Sequence, residues 1–144
     1  MRLSTDEARS RLAAHTHGVL CTLHAARGPN PTPVVYAVSE DGHIGIPVDT
    51  VKPKESSRLQ READLEADPR AALLVEHWDP DDWSRLWWVR ADLEHVPDPA
   101  PSLTEELAER LATTVAQYTD RPFHRVVVCR IRHVTVWAAD DELG

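Results

Sequence analysis

The sequence predicts a single α+β domain, mainly β with flanking helices, whose strands form a closed or nearly closed antiparallel barrel. Three observations predict it. Short runs rich in β-branched and aromatic residues follow one another in hairpin order. Helical periodicity is confined to three segments, one at the start, one in the middle and one before the last strand. No strand-helix-strand alternation of the kind that builds a parallel sheet is present. A length of 144 residues suits one domain, 1–144, and a chain of that size buries roughly 70% of its unfolded surface.

The segment STDEARSRLAAH opens with Ser4 followed three residues later by Glu7, a capping-box pattern, and Leu3, Ala8 and Leu12 fit one helical face. Three short strands are expected next, in HGVLCTLHA, TPVVYAVS and HIGIPV, with ARGPNP and EDG as the intervening turns. Pro47 in the third cannot donate to a ladder and points to an edge or a bulge. SSRLQREADLEAD reads as a helix capped by Ser56 or Ser57. It stops at Asp68-Pro69, because a residue before proline avoids the helical region. RAALLVEHW and WSRLWWVRADLEHV follow as longer strands around the acidic turn DPDD. PDPAPS leads into the amphipathic helix LTEELAERLATTVAQY, and HRVVVCRIRHVTVWAA closes the chain as one long strand or two short ones. The reading gives six or seven strands and three helices.

Sixteen basic residues against twenty-four acidic ones leave a net charge of -8, which repels nucleic-acid phosphates at long range and argues against that partner. No apolar run approaches the ~20 residues that a membrane span needs. The start MRLSTDEARSRL is charged and helical rather than a signal peptide, so a cytoplasmic protein with neither nucleic acid nor membrane as partner is expected. Cys21 and Cys129 lie in the apolar segments GVLCTL and VVVCRI without a C-x-x-C partner. They are expected to be buried, reduced and unreactive thiols.

The basic residues carry the first functional signal. Fourteen are arginine, and the only two lysines, Lys52 and Lys54, flank Pro53 in VDTVKPKESSRL. The proline fixes its own φ and pushes Lys52 toward an extended conformation, so the two ammonium groups tend to emerge on one side. The N-terminus of the SSRLQRE helix follows at once, with Arg58 in its first turns, and a helix N-terminus favours an anion. Two lysines, an arginine and a helix start together suit a phosphate or carboxylate tail of a small ligand. The alternative is a solvated loop with Arg58 paired to Glu62 at i,i+4.

The second signal is WSRLWWVRA. As a strand it places Trp83, Arg85, Trp87 and Val89 on one face and Ser84, Leu86, Trp88 and Arg90 on the other, so both faces carry tryptophan. Either both rings fill core and satellite packing, or the outer face meets another subunit or a planar ligand. EHWDPDD matches no standard metal loop, and no metal site is expected. The scattered histidines form no H-E-x-x-H pair, and no G-x-S-x-G, P-loop or G-x-G-x-x-G is present. Hydrolase, kinase and Rossmann dehydrogenase readings lose their usual support.

Taken in order, GVLCTL, TPVVYAV, VDTVKPK, ADPRAALLVEHW and DDWSRLWWVRADLE resemble the FMN-binding split-barrel superfamily, the group that contains pyridoxamine phosphate oxidase. KPK combined with DDWSRLWWVR looks most like the actinobacterial branch of deazaflavin (coenzyme F420)-dependent oxidoreductases. The likeness runs from Leu3 to Trp137. It implies a dimer of six-stranded antiparallel split barrels with cofactor clefts between the subunits. Lys52, Lys54 and Arg58 fall where such proteins hold the cofactor phosphate. Val48, Asp49 and Thr50 would run beside the ring system, and Trp88 falls where relatives place a residue near the ring.

The sequence also departs from the pattern. IRHVTVWAADDELG keeps only Trp137 of the arginine-rich, tryptophan-containing substrate motif that ends pyridoxamine phosphate oxidases, which argues against vitamin synthesis, and Asp64 stands where close relatives usually carry asparagine. The resemblance implies an F420-dependent oxidoreductase acting on a small organic acceptor, with FMN as the alternative cofactor. A non-catalytic carrier of flavin, deazaflavin or haem is the alternative of another class. In all of these readings the cofactor carries the hard chemistry, so a missing acid-base motif is no objection.

Overall fold

The computed structural model describes residues 3–49 and 56–140. In chain order the elements are α1 (Thr5–Ala13), β1 (His17–His24), β2 (Gly28–Val35), β3 (Ala37–Val38), β4 (His43–Asp49), α2 (Ser56–Ala67), β5 (Arg70–His77), β6 (Trp87–His95), α3 (Pro101–Thr114) and β7 (Phe123–Ala138). All pairings are antiparallel, in the order β2-β1-β5-β6-β7-β4-β3.

Seven strands are described, where the resemblance implies six. The extra strand arises at Tyr36. Residues 28–35 pair with β1, and after this single residue the chain pairs with β4. The two halves form opposite edges of one sheet, so the sheet curls until its edges meet at Tyr36. That residue is fully buried, its N–H donates to the Thr16 carbonyl at 2.9 Å, and its hydroxyl donates to the Leu12 carbonyl at 2.6 Å. Burial pushes the phenol pKa up, so the hydroxyl stays a donor.

Two further expectations are corrected. ARGPNP is not a turn throughout: the turn is shorter, with Ala26 and Arg27 N–H groups donating to His24 Nδ1, and β2 begins at Gly28. Pro29, Pro31 and Pro33 are tolerated because β2 is an edge strand, where every second residue turns its nitrogen away from the only neighbour. WSRLWWVRA is not all strand either. Asp82 accepts from the Ser84 N–H and caps a 3-10 turn at Trp83–Arg85, so β6 starts only at Trp87 and Trp83 shares no sheet face with it.

The helices behave more nearly as the sequence predicts. Ser4 caps α1, accepting from the Glu7 N–H, and Ala8 and Leu12 are fully buried. α2 takes in Ser56 and Ser57 as its first residues rather than as its cap, and it ends just before Asp68-Pro69. β7 is one strand of 16 residues. Pro47 lies beyond the end of β3, next to the register shift at Val48/Asp49, as an edge or bulge requires.

The barrel interior holds the main core: Leu20, Ile44, Ile46, Leu73, Val75, Val89, Ala91, Cys129 and Val136 come from five strands, with Leu12 and Leu65 entering from the helices. A second, smaller cluster lies outside, where Leu107, Ala108 and Leu111 of α3 cover Ala37, Val126 and Val128. Gly45 permits that approach, because a Cβ there would stand 2.8 Å from Val126 Cγ1 and 2.9 Å from Leu107 Cβ.

Candidate functional site

The helices α1 and α2 close opposite ends of the barrel. At the α1 end lie the finish of β5, the start of β6 and the finish of β7, shown by Trp87 pairing with His77 on one side and Ala138 on the other. Arg11 of α1 reaches this end, its guanidinium 5.3 Å from the Trp87 ring centroid and its Nε donating to Glu7 at 2.9 Å. His15 meets the Trp87 ring edge-on at 4.8 Å, and His77 stacks at 6.1 Å. Trp87 is thereby core rather than ligand surface.

At the α2 end lie the finish of β1, the start of β2 and the start of β7. The buried Asp64 carboxylate ties α2 to the first two: it accepts from Thr22 Oγ1 at 2.8 Å, Asn30 Nδ2 at 3.0 Å and Gln60 Nε2 at 2.8 Å. Desolvation alone would raise its pKa. The three hydrogen bonds outweigh it and hold the pKa below the usual carboxylate range, so Asp64 is ionised at neutral pH. Glu62 and Arg125 add an ion pair between α2 and β7.

The outer face of β1, β5, β6 and the later part of β7 lies away from α3, which covers β7 at Val126 and Val128. Alternation turns Trp88 and Trp137 outward, side by side across the β6–β7 ladder, with Arg90 5.7 Å from the Trp88 ring centroid. On the same face Val19 and Leu74 stand opposite each other, 37% and 40% exposed, and together form one apolar patch. Cys21 belongs here as well. The expectation that both thiols are buried holds for Cys129, whose pKa desolvation pushes up to about 12, and fails for Cys21. Cys21 is half-exposed and lines a shallow depression of about 220 Å³ with Leu23, Arg70, Ala71 and Ala72.

Those site residues predicted from sequence that the structure describes are divided between the two ends. Val48 and Asp49 finish β4 at the α2 end, where Asp49 pairs with Phe123 at the start of β7. The Val48 side chain is 4% exposed and faces the core, so only its backbone is open to a ligand there. Arg58 belongs to the first turns of α2. Thr50, Lys52 and Lys54 lie outside the described residues, in the connection between β4 and α2. Trp88 lies at the other end, opposite Trp137 near the finish of β7. One chain does not bring Trp88 to the end of β4 that carries Asp49. Sequence reasoning passed over Arg11, and it saw Asp64 without its partners. Strand parity could have flagged Thr22, a polar residue at an inward position between Leu20 and the turn.

A curled antiparallel sheet with helices at both ends and a partly aromatic outer face defines a small split-barrel protein. The chain belongs to the pyridoxamine 5'-phosphate oxidase family, whose model matches residues 4–138. No curated protein matches it. Among solved structures it is similar to a FAD-binding protein from Mesorhizobium loti (20% identity, 94% of this chain and 93% of that one, TM-score 0.65). It is also similar to a conserved hypothetical protein from Mycobacterium tuberculosis (21% identity, 95% and 86%, TM-score 0.69). An FMN-binding protein from Syntrophomonas wolfei has the same fold (18% identity, 92% and 85%, TM-score 0.69). At these identities the likeness is one of fold.

Proposed function

We propose that the protein is an oxidoreductase that binds the deazaflavin coenzyme F420 and serves hydride transfer to a small unsaturated or quinone-like organic acceptor. The observation that carries this reading is the outward Trp88–Trp137 pair on an uncovered sheet face of a flavin-family fold. That face offers a planar ring system the apolar contact it needs. Lys52, Lys54 and Arg58 supply cations suited to the anionic tail, next to the start of α2. When bound, the cofactor provides the hydride chemistry at its ring; the chain holds, orients and desolvates it.

The division of the site between the two barrel ends supports a homodimer. A cleft that uses both halves takes Trp88 from one subunit and the basic segment from the other. The exposed Val19 and Leu74 give such a pairing an apolar surface to bury.

A second reading keeps the fold and takes FMN, favoured by the FMN-binding and FAD-binding names of two structural neighbours. Titrating the purified protein separately with F420, FMN and haem, followed by fluorescence or absorbance, decides between them. Tight F420 binding without FMN binding is expected, and FMN or haem binding without F420 binding overturns the proposal. Oxidation of reduced F420 by a quinone under the same conditions separates an enzyme from a carrier.

A further inference from the structure

All five tryptophans of the chain gather at the α1 end of the barrel. Trp87 is core and Trp88 faces outward beside Trp137, which leaves Trp78 and Trp83, in the connection between β5 and β6, without a role in the site described above. They are the most exposed large apolar side chains among the described residues, at 49% and 63%, and their rings lie against each other, centroids 5.1 Å apart and tilted by 53°. Rings this close leave no slot between them. They form one continuous aromatic surface.

That surface is braced. Asp79 Oδ1 accepts from the Asp81 N–H at 3.0 Å, Asp82 Oδ1 accepts from the Ser84 N–H and hydroxyl, Arg85 pairs with Asp79 at 3.4 Å, and the Ala139 N–H donates to the Leu86 carbonyl. The segment that carries the indoles is therefore tied into local turns and to the chain beyond β7. Its charge is one-sided, with Glu76, Asp79, Asp81 and Asp82 set against Arg85 alone. That arginine pairs with Asp79 and also acts on Asp82, while Glu76 and Asp81 are exposed.

Two exposed indoles in contact attract a flat π system, and their faces attract positive charge. The surrounding carboxylates reinforce the second preference and repel phosphates, carboxylates and anionic lipid surfaces. We infer that the Trp78–Trp83 pair is a binding site for a planar, positively charged heteroaromatic molecule. The site lies just past Glu76, which pairs with Trp88 across the β5–β6 ladder. This binding does not rest on the proposed function.

The test is a charge series on one ring system, measured by isothermal titration of the full chain without added cofactor. N-methylphenazinium, neutral phenazine and phenazine-1-carboxylate serve as the cationic, neutral and anionic probes. The wild type is expected to bind the cation about tenfold more tightly than the anion, and the margin shrinks at high salt. Replacing Trp78 and Trp83 together by alanine removes binding of all three; both residues are exposed, and an unchanged circular dichroism spectrum verifies the fold. Glu76→Gln with Asp81→Asn narrows the preference for the cation and leaves neutral phenazine unaffected. Equal affinity for cation and anion, or unchanged binding in the double alanine variant, overturns the inference. So does binding of a hexa-arginine peptide with no binding of N-methylphenazinium, which would assign the surface to a basic protein segment. A protein that binds F420 or FMN but not the cation refutes this inference alone, and the reverse result refutes the proposed function alone.

Discussion

The Thr22 hydroxyl on β1 donates to the Asp64 carboxylate on α2 at 2.8 Å, and both side chains are almost completely buried. With Asn30 and Gln60 completing the set, one carboxylate fastens α2 to the β1–β2 hairpin. Replacing Asp64 by alanine strands three buried or half-buried donors and is expected to cost about 2–4 kcal/mol, read from urea denaturation. Asp64→Asn keeps the shape and one acceptor oxygen, so it costs less. The pH dependence follows from the lowered pKa. The unfolded carboxyl titrates near its ordinary value of 3.8, the folded one lower. Its contribution is therefore fully present above the unfolded value and is lost as pH falls through the folded one. Below pH 4 the wild type should lose stability relative to Asp64→Asn, and parallel acid-denaturation curves for the two would refute the assignment.

Lys52 and Lys54 are expected to grip the anionic tail of the cofactor. Charge-assisted bonds to a phosphate are worth about 1.5–3 kcal/mol each, so alanine at either position should weaken F420 or FMN binding roughly tenfold to a hundredfold while leaving the thermal midpoint unchanged. Rising salt should weaken the wild-type complex more than the doubly substituted one. Equal affinities in wild type and double variant would make the lysine pair a compositional accident.

Leu74 tests the proposed dimer. It is 40% exposed and sits between Val19 and Arg90 in the ladder, so Leu74→Glu costs a single chain little and even faces an arginine. Light scattering is expected to give twice the monomer mass for the wild type at micromolar concentration and the monomer mass for Leu74→Glu. Cofactor binding should fall when dimerisation is lost, because within one chain Trp88 and the Asp49 end of β4 lie at opposite ends of the barrel. A monomeric wild type that still binds the cofactor fully would exclude the shared cleft.

The two thiols should differ. Cys129 is fully buried, and its pKa is pushed up to about 12, so it should resist a thiol reagent until the protein unfolds. Cys21, on the outer face, should react in the Leu74→Glu monomer and be protected in the dimer. Mass spectrometry of labelled peptides distinguishes them, and native-state labelling of Cys129 would count against the barrel interior described above.

The sequence by itself determined the elements whose causes are local. The Ser4–Glu7 cap of α1 and the stop of α2 before Pro69 each depend on residues within a few positions of one another, and they appear where the pattern predicts them. Local pattern misled where a neighbour decided the outcome. Pro29, Pro31 and Pro33 read as a turn until an edge position leaves their missing donors without consequence, and Trp83 reads as strand until the Asp82 side chain caps a 3-10 turn.

The tertiary structure alone decided which distant residues meet. Asp64 finds Thr22 and Asn30 at sequence separations of 42 and 34, and no local signal ties an aspartate to a threonine so far away. The alternation in GVLCTL shows that Cys21 points away from Leu20, but only the absence of a covering helix on that face leaves it half-exposed. The same holds for the candidate site. Trp88 and Asp49 are both legible as candidate site residues, yet their placement at opposite ends of the barrel follows from strand order, which is set by how the whole sheet buries its inner face and closes at Tyr36. Side-chain chemistry is a property of residues, whereas convergence is a property of the closed sheet.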